Sequence, residues 1–368
     1  MPKKFVRPEV AKLRPYIPGK PISEVKRELG LTEVIKLASN ENPIGPSPKA
    51  LAAMRNCLKD VRLYPDNECF DLKGRLSEIH DLPREQILLG RGSDEILHMI
   101  GLAFLERGDE ALIPTYPFVL YEFTSMLMGA ELVRVPFVDY RHDLPAMAKA
   151  VTKNTKVVFI ANPNNPTGTI VTHDEMTRFL DKVGNKVITV LDEAYFEYAD
   201  DPSYPRGLEF VKEGRNVIVL RTFSKLHALA GLRIGYGFAK PEIAAALAKV
   251  REPFNVSSVA QAAALASLDD APHIERILKT NAQAKQYLYR ELAKLGVKYV
   301  PTQANFIFLD CGLDAKTVCK ELLMQGVIVR HDPAFGYPTH FRVTTGNPKE
   351  NKRFIEALKK ALYCVGGK

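Results

Sequence analysis

The chain has 368 residues, of which 46% are hydrophobic and 26% charged, a composition typical of a globular protein with a large core. Its 51 basic and 43 acidic residues give a net charge of +8, but no run of like charges and no zinc-finger or helix-turn-helix spacing favours nucleic-acid binding. The length predicts two domains.

Cysteine usage indicates the compartment. The chain has an odd number of cysteines and no CxxC pair: Cys57, Cys69, Cys311, Cys319 and Cys364. This usage predicts reduced thiols in the cytoplasm. The first residues lack the apolar core of a secretion signal, no apolar segment approaches the length of a membrane span, and the eight histidines show no metal-ligand spacing. We therefore expect a cytoplasmic protein without a metal site.

Residues 1–45 are rich in proline and turn-forming residues, apart from a short amphipathic helix predicted near 22–29. Such a segment cannot bury a face of its own, so we expect an arm that lies on the rest of the protein and joins the smaller domain. Tyr16 and Asn40 are the polar residues of this arm that could serve a site. The alternative is an arm that only packs.

Helix and strand patterns alternate from about residue 46 to residue 240, which is typical of an α/β sheet with mainly parallel strands and helices on both faces. Helices are predicted at 47–60, 68–80, 96–104, 118–128, 144–150 and 173–183. Strands are predicted at 86–90, 110–114, 131–135, 156–161, 186–191, 217–220 and 233–238. We expect residues 46–265 to form the large domain, with ligands bound beyond the carboxyl ends of its strands.

The remainder, residues 266–368, is predicted to form a smaller α+β domain. An Ala- and Leu-rich helical region covers 258–295 with a break near 269–272, and further helices are predicted at 315–325 and 349–362. Strands are predicted at 296–300, 304–309, 327–330 and 341–346. Arg330 and Arg342 end or interrupt apolar strands, so we expect them to face the cleft between the domains.

A lysine at the mouth of a buried strand is the strongest functional signal. Val217–Leu220 runs into Arg221-Thr222-Phe223-Ser224-Lys225, and Arg233 follows after a Gly- and Ala-rich loop. Lysine is rarely placed in such surroundings for packing alone. We predict that Lys225 holds a cofactor covalently, as a Schiff base.

An electron-sink cofactor held on a lysine needs further groups, and each has a candidate at a strand end. Asp192 can pair with the ring nitrogen, Tyr195 and Asn165 can meet the ring oxygen, and Tyr116 can stack on the ring. The phosphate would meet a strand–glycine–helix junction and nearby polar groups: Ser93, Asp94, Thr222, Ser224 and Arg233. Each residue alone has a structural alternative, such as a helix cap, a core tyrosine, a turn or a surface ion pair. Their ordered placement at successive strand ends favours the site.

Three motifs carry a family resemblance over essentially the whole chain. NPNNPTG at 162–168, DEAYFEY at 192–198 and RTFSK…AGLRIGY at 221–236 resemble the signature of fold-type I aminotransferases, which use pyridoxal 5′-phosphate. RPYIPGK, KLASNENPIGPSP, YPD, REPFNVSSVAQAAA, QANFIF and FRVTTG resemble more narrowly the histidinol-phosphate aminotransferase branch of that family.

The resemblance implies roles for the matching residues. Lys225, Asp192 and Tyr195 would be catalytic, and the cofactor contacts would be those given above. Tyr64, in YPD, would reach the phosphate from the second subunit of a homodimer. The substrate-binding residues would be Tyr16, Asn40, Arg330 and Arg342. His227 and the pair His331-Asp332 depart from the family pattern; we interpret His227 as a packing variant, and these changes bear on the substrate rather than on the cofactor.

The leading interpretation is transfer of an amino group between L-histidinol phosphate and 2-oxoglutarate, giving imidazole-acetol phosphate and L-glutamate in a ping-pong cycle of histidine biosynthesis. An aromatic amino-acid aminotransferase and a phosphothreonine decarboxylase are alternatives on the same scaffold. A non-catalytic cofactor-binding protein is a further alternative. A regulator of that kind would normally carry a DNA-binding module, and it would tolerate loss of Lys225.

Overall fold

The computed structural model of the chain describes residues 5–13, 15 and 19–367. Its strands, in chain order, are β1 Ile35–Lys36, β2 Ile87–Gly90, β3 Glu110–Pro114, β4 Glu131–Val135, β5 Phe137–Val138, β6 Arg141–His142, β7 Thr155–Ala161, β8 Ile188–Asp192, β9 Val217–Thr222, β10 Gly235–Ala239, β11 Lys298–Val300, β12 Phe306–Asp310, β13 Val327–Ile328 and β14 His340–Thr344.

The helices are α1 Pro8–Lys12, α2 Ile22–Leu29, α3 Pro48–Cys57, α4 Phe70–His80, α5 Ser93–Phe104, α6 Val119–Met128, α7 Leu144–Ala150, α8 His173–Val183, α9 Gly207–Lys212, α10 Pro241–Lys249, α11 Ser258–Leu268, α12 Ala271–Lys294, α13 Ala315–Met324 and α14 Pro348–Gly366.

A seven-stranded sheet in the order β2-β10-β9-β8-β7-β3-β4 forms the centre of the larger part of the fold. The strands from β9 to β4 are parallel, and β10 runs antiparallel to both of its neighbours. Alternate residues of β7 belong to two separate apolar cores, one shared with α5, α6 and α10 and the other with α4, α8, α9 and α11. Helices therefore cover both faces, which is why the central strands are apolar throughout.

A further core surrounds the antiparallel sheet β11-β12-β14 and is closed by α12, α13 and α14. The amino-terminal arm reaches this part of the protein, because β1 pairs in parallel with β13 and Leu37 N donates to Ile328 O at 2.7 Å. The division into a large domain over 46–265, a smaller one over 266–368 and an arm that joins it stays a prediction, and α11 spans the boundary at 265.

Most elements lie close to their predicted positions, and the exceptions have local causes. α5 begins at Ser93, three residues before the predicted start. The predicted strand 327–330 ends at Ile328, and Arg330 beyond it forms only an isolated bridge with Arg342. The short elements α1, β1, β5, β6 and α9 were not predicted, and neither was α10, although Pro241 at its first helical position is a usable signal.

In the part of the chain that the structure describes, no helix is long and apolar enough to cross a membrane. No group of three or more His, Cys, Asp or Glu side chains among those residues could hold a metal ion. The cysteines are free thiols, as the sequence predicted.

Candidate active site

The carboxyl ends of three adjacent parallel strands meet at one cavity of about 240 Å³. Asp192 ends β8, Thr222 ends β9, and Asn165 lies in the loop after β7. Parallel neighbours bring their carboxyl ends to the same edge of a sheet, so residues far apart in sequence line one space. The predicted residues that line this cavity are Ser93, Asp94, Asn165, Asp192, Tyr195, Thr222, Ser224, Lys225 and Arg233.

Lys225 lies three residues beyond β9, and its side chain enters the cavity. Its Nζ donates to Ser39 O of the arm at 3.1 Å and lies 5.6 Å from the centre of the Tyr195 ring. The loop is shaped by Thr222, whose Oγ1 accepts from Ser224 N at 3.0 Å. The ammonium is thus held by a neutral carbonyl at the cavity wall.

Asp192 is a buried carboxylate, 6% exposed, at the floor of the cavity. Tyr121 Oη donates to its Oδ2 at 2.6 Å, and Ala194 N donates to its Oδ1 at 3.2 Å. Burial raises the pKa of Asp192 to about 6, although these two hydrogen bonds act in the opposite direction. A carboxylate so placed favours a cationic partner in the cavity.

The amino terminus of α5 and a guanidinium form the opposite end of the cavity. Ser93 is the first residue of α5, and Gly92 before it has φ of +78°. Arg233 Nη2 pairs with Asp94 Oδ2 at 2.9 Å, and its Nη1 donates to Ser224 Oγ at 3.3 Å. A Cβ on Gly92 would lie 2.5 Å from Arg233 Nη2, so glycine is needed for this approach. Free N–H groups, the helix dipole and the guanidinium together suit a phosphate.

Two residues predicted to bind the cofactor form hydrogen bonds with two residues predicted to bind the substrate. Asn40 Nδ2 donates to Tyr195 Oη at 2.8 Å. Arg342 Nη1 donates to Asn165 Oδ1, and Arg342 Nη2 donates to Ala38 O at 2.7 Å. The arm and β14 therefore close the side of the cavity that faces the smaller sheet.

Other predicted residues lie elsewhere. Arg330 lines a separate groove of about 1030 Å³. Tyr116 does not line the 240 Å³ cavity; its ring lies 5.6 Å from that of Tyr337, and Phe118 lines the cavity instead. Tyr64 is 81% exposed and stacks on Phe254 at 4.7 Å, outside the cavity. Tyr16 lies outside the described residues.

A buried ion pair that was not predicted from the sequence lies behind the cavity. Arg221 Nε donates to Glu193 Oε2 at 2.9 Å, and the two side chains are 7% and 2% exposed. Glu193 follows Asp192 directly, and Arg221 lies on β9 four residues before Lys225. The pair thus links the two strands that carry the cavity's anionic and cationic groups.

His227 packs behind the cavity and does not line it. The side chain is 6% exposed, and its ring lies 4.9 Å from that of Phe223. Burial, helped by the charge of His273, lowers the pKa of His227 to about 4, so the ring is neutral at pH 7.

We therefore expect His227→Phe to change kcat and KM by less than about threefold. Because phenylalanine is larger than histidine, we expect the free energy of unfolding to fall by about 1–3 kcal/mol, as for other substitutions that add volume to a packed core. Steady-state kinetics and urea unfolding measure both. A tenfold fall in kcat without loss of stability would instead give His227 a catalytic role.

Comparison with known proteins assigns the fold to a family. The sequence profile described as "Aminotransferase class I and II" matches residues 32–358. Histidinol-phosphate aminotransferase of Moorella thermoacetica is 49% identical, covering 97% of this chain and 92% of that protein. The corresponding protein of Symbiobacterium thermophilum is 44% identical, covering 97% and 98%. The crystal structure of histidinol-phosphate aminotransferase from Sinorhizobium meliloti, in complex with pyridoxal-5′-phosphate, matches with a TM-score of 0.92, 29% identity and 98% coverage of each chain.

These similarities confirm the predicted fold class, a fold-type I α/β architecture with a mainly parallel central sheet. The chain belongs to the class I and II aminotransferase family.

Proposed function

We propose that this enzyme is a histidinol-phosphate aminotransferase, which transfers an amino group between L-histidinol phosphate and 2-oxoglutarate in histidine biosynthesis. One observation carries the proposal: Lys225, the buried Asp192 and the anion-binding start of α5 line one cavity, and Arg342 contacts its Asn165 wall. The printed names of the relatives at 44–49% identity support the substrate.

The residues present fit pyridoxal 5′-phosphate, which supplies an electron sink for the electrons of a broken Cα–H bond. Burial raises the pKa of Asp192, and a protonated ring nitrogen would stabilise its carboxylate form. Tyr195 and Asn165 would meet the ring oxygen. The phosphate would be held by Ser93, Asp94, Thr222, Ser224 and Arg233. Phe118 is better placed than Tyr116 to cover the ring, because it lines the cavity.

Lys225 would act twice in this site. Its Nζ would first hold the cofactor covalently, and its freed amine would then accept the proton from the substrate Cα. The contacts of Asn40 with Tyr195 and of Arg342 with Ala38 hold the arm next to the cavity, where it would limit the access of water. Arg342 would bind the anionic group of the substrate through its planar fork, with Arg330 and Tyr16 assisting.

The substrate is tested by steady-state rates with L-histidinol phosphate, L-phenylalanine and O-phosphothreonine. We expect kcat/KM to be highest for histidinol phosphate. If histidinol phosphate were the poorest of the three, the enzyme would be an aromatic aminotransferase or a phosphothreonine decarboxylase according to which of the other two reacts best.

An exposed apolar surface and free thiols support two further proposals, a homodimer and a cytoplasmic location.

The proposed dimer surface is the segment from 58 to 70, which exposes several large apolar side chains: Leu58, Val61, Leu63, Tyr64 and Phe70. Tyr64 lies outside its own chain's cavity, so it would serve the partner's cofactor. Tyr64→Phe removes only the hydroxyl. We expect the dissociation constant of pyridoxal phosphate to rise about tenfold, because the variant loses one hydrogen bond to a charged group. Fluorescence titration of the dimer with pyridoxal phosphate measures this dissociation constant.

Tyr363→Phe is the matched control, because Tyr363 is also an exposed tyrosine, at 68%. It should leave both the dimer mass and cofactor affinity unchanged. Unaltered cofactor affinity in Tyr64→Phe dimers would remove Tyr64 from the site.

A further inference from the structure

Two arginines, Arg330 just beyond β13 and Arg342 on β14, lie directly opposite each other in an isolated antiparallel bridge. Arg330 N donates to Arg342 O at 3.0 Å, and Arg342 N donates to Arg330 O at 2.8 Å. Residues directly opposed in an antiparallel pair project their side chains from the same face. Like charges in this position are unfavourable, so an anion near them is stabilising.

The chain supplies such an anion itself. Asp332 Oδ2 forms an ion pair with Arg330 Nη2, and the two side chains are 25% and 17% exposed. The other oxygen of the same carboxylate accepts from Ala334 N at 3.0 Å and caps the short helical turn Pro333–Phe335. Asp332 therefore occupies part of the Arg330 guanidinium and at the same time holds the loop that leads to β14.

The surroundings of this ion pair attract a larger anion. Arg330 and Asp332 both line the 1030 Å³ groove between the arm, α6 and α13. Cationic side chains predominate in the groove: Lys12, Lys20, Lys316, Lys320 and Arg330, against Glu122 and Asp332. A cleft lined mainly by one sign of charge raises the local concentration of ligands of the other sign.

We propose that Asp332 is a specificity-determining residue that competes with the substrate for Arg330. A phosphate monoester displaces it, because it offers up to two charges and three acceptor oxygens where Asp332 offers one charge. A substrate with a single carboxylate, bound at Arg342, leaves the contact between Asp332 and Arg330 in place. Asp332 thereby lowers the affinity for ligands that need Arg330, such as phosphate monoesters, and leaves unchanged the affinity for amino acids that bind at Arg342 alone. This inference rests on the proposed function, since it takes both arginines as substrate-binding.

The test measures binding of inorganic phosphate to the holoenzyme by calorimetry, with the cofactor's own phosphate site filled. Asp332→Asn keeps an oxygen that can accept from Ala334 N but removes the charge. We expect phosphate to bind about fivefold more tightly to this variant, because phosphate no longer has to break one partly exposed ion pair. Asp332→Ser, which also retains a capping oxygen, should give the same gain. The gain should disappear when Arg330→Gln is combined with Asp332→Asn.

Asp314→Asn is the matched control, because Asp314 also caps a helix of the smaller sheet region, accepting from Thr317 N at 2.9 Å. An equal gain in phosphate affinity in Asp314→Asn would mean that binding responds only to the loss of one negative charge from the protein and not to the contact between Asp332 and Arg330. Unchanged or weaker phosphate binding in Asp332→Asn would mean that Asp332 orients Arg330. Either result overturns the proposal. Phosphate binding is independent of the amino donor, so this result and the test of histidinol phosphate as substrate can fail separately.

Discussion

Replacement of Lys225 by alanine is expected to lower the rate of amino transfer by at least about a thousandfold, because covalent attachment and proton transfer both depend on its amine. Wild-type protein treated with pyridoxal phosphate should show an absorbance band near the edge of the visible range, and Lys225→Ala should lose it. Turnover of histidinol phosphate and the absorbance spectrum measure the two effects. The cavity geometry supports this expectation, since Lys225 Nζ is held at the wall by the Ser39 carbonyl.

Two control variants sharpen this test. Lys225→Arg retains the positive charge, but a guanidinium stays protonated and cannot act as a nucleophile, so this variant should be as inactive as Lys225→Ala. Lys49→Ala should behave like wild type, because Lys49 also donates to a backbone carbonyl, Asp269 O at 2.6 Å, yet lies on the surface. A wild-type protein that stays colourless after cofactor treatment would contradict the covalent link and favour a non-catalytic protein.

The residues at strand ends could be predicted from sequence because their positions follow from chain topology. Apolar strands alternating with helices form a parallel sheet, and the carboxyl ends of its strands lie at one edge. Asn165, Asp192 and Lys225 needed no knowledge of side-chain contacts to be assigned to one cleft. The structure brings them to the same cavity.

The contacts that tune these residues could not be predicted in this way. Tyr121 donates to Asp192 from 71 residues away, and Asn40 donates to Tyr195 across 155 residues. Such contacts depend on how α6 and the arm pack, for which no local pattern exists. The choice between Tyr116 and Phe118 is similar, because a shift of two residues before α6 decides which ring faces the cavity.

The Glu193–Arg221 pair could have been found. Glu193 directly follows the apolar strand β8 and Arg221 lies within β9, so each carries the cost of placing a charge in a core, as Lys225 does. A charged residue of each sign at the ends of adjacent strands predicts an ion pair, and the structure has one at 2.9 Å.

Substitution of Asp192 by asparagine is expected to affect stability and catalysis in opposite directions. Burial raises the pKa of Asp192 from its ordinary 3.8 to about 6. The folded cofactor-free protein therefore binds more protons than the unfolded chain between these values, and its free energy of unfolding falls as the pH rises through them. Above this window the buried carboxylate costs about 3 kcal/mol. Asparagine carries no charge, and its amide can still bond with Tyr121 Oη and Ala194 N.

The cofactor-free Asp192→Asn protein should thus be more stable than wild type by up to about 3 kcal/mol at pH 7.5, with the difference vanishing near pH 4. Its kcat should nevertheless fall by about a thousandfold, because a neutral amide cannot keep a ring nitrogen protonated. Urea unfolding at several pH values, with and without pyridoxal phosphate, separates the effects. The cofactor should stabilise wild type more than the variant, since only the carboxylate gains a cationic partner. A cofactor-free variant no more stable than wild type at pH 7.5 would show that the buried Asp192 carboxylate does not destabilise the cofactor-free protein.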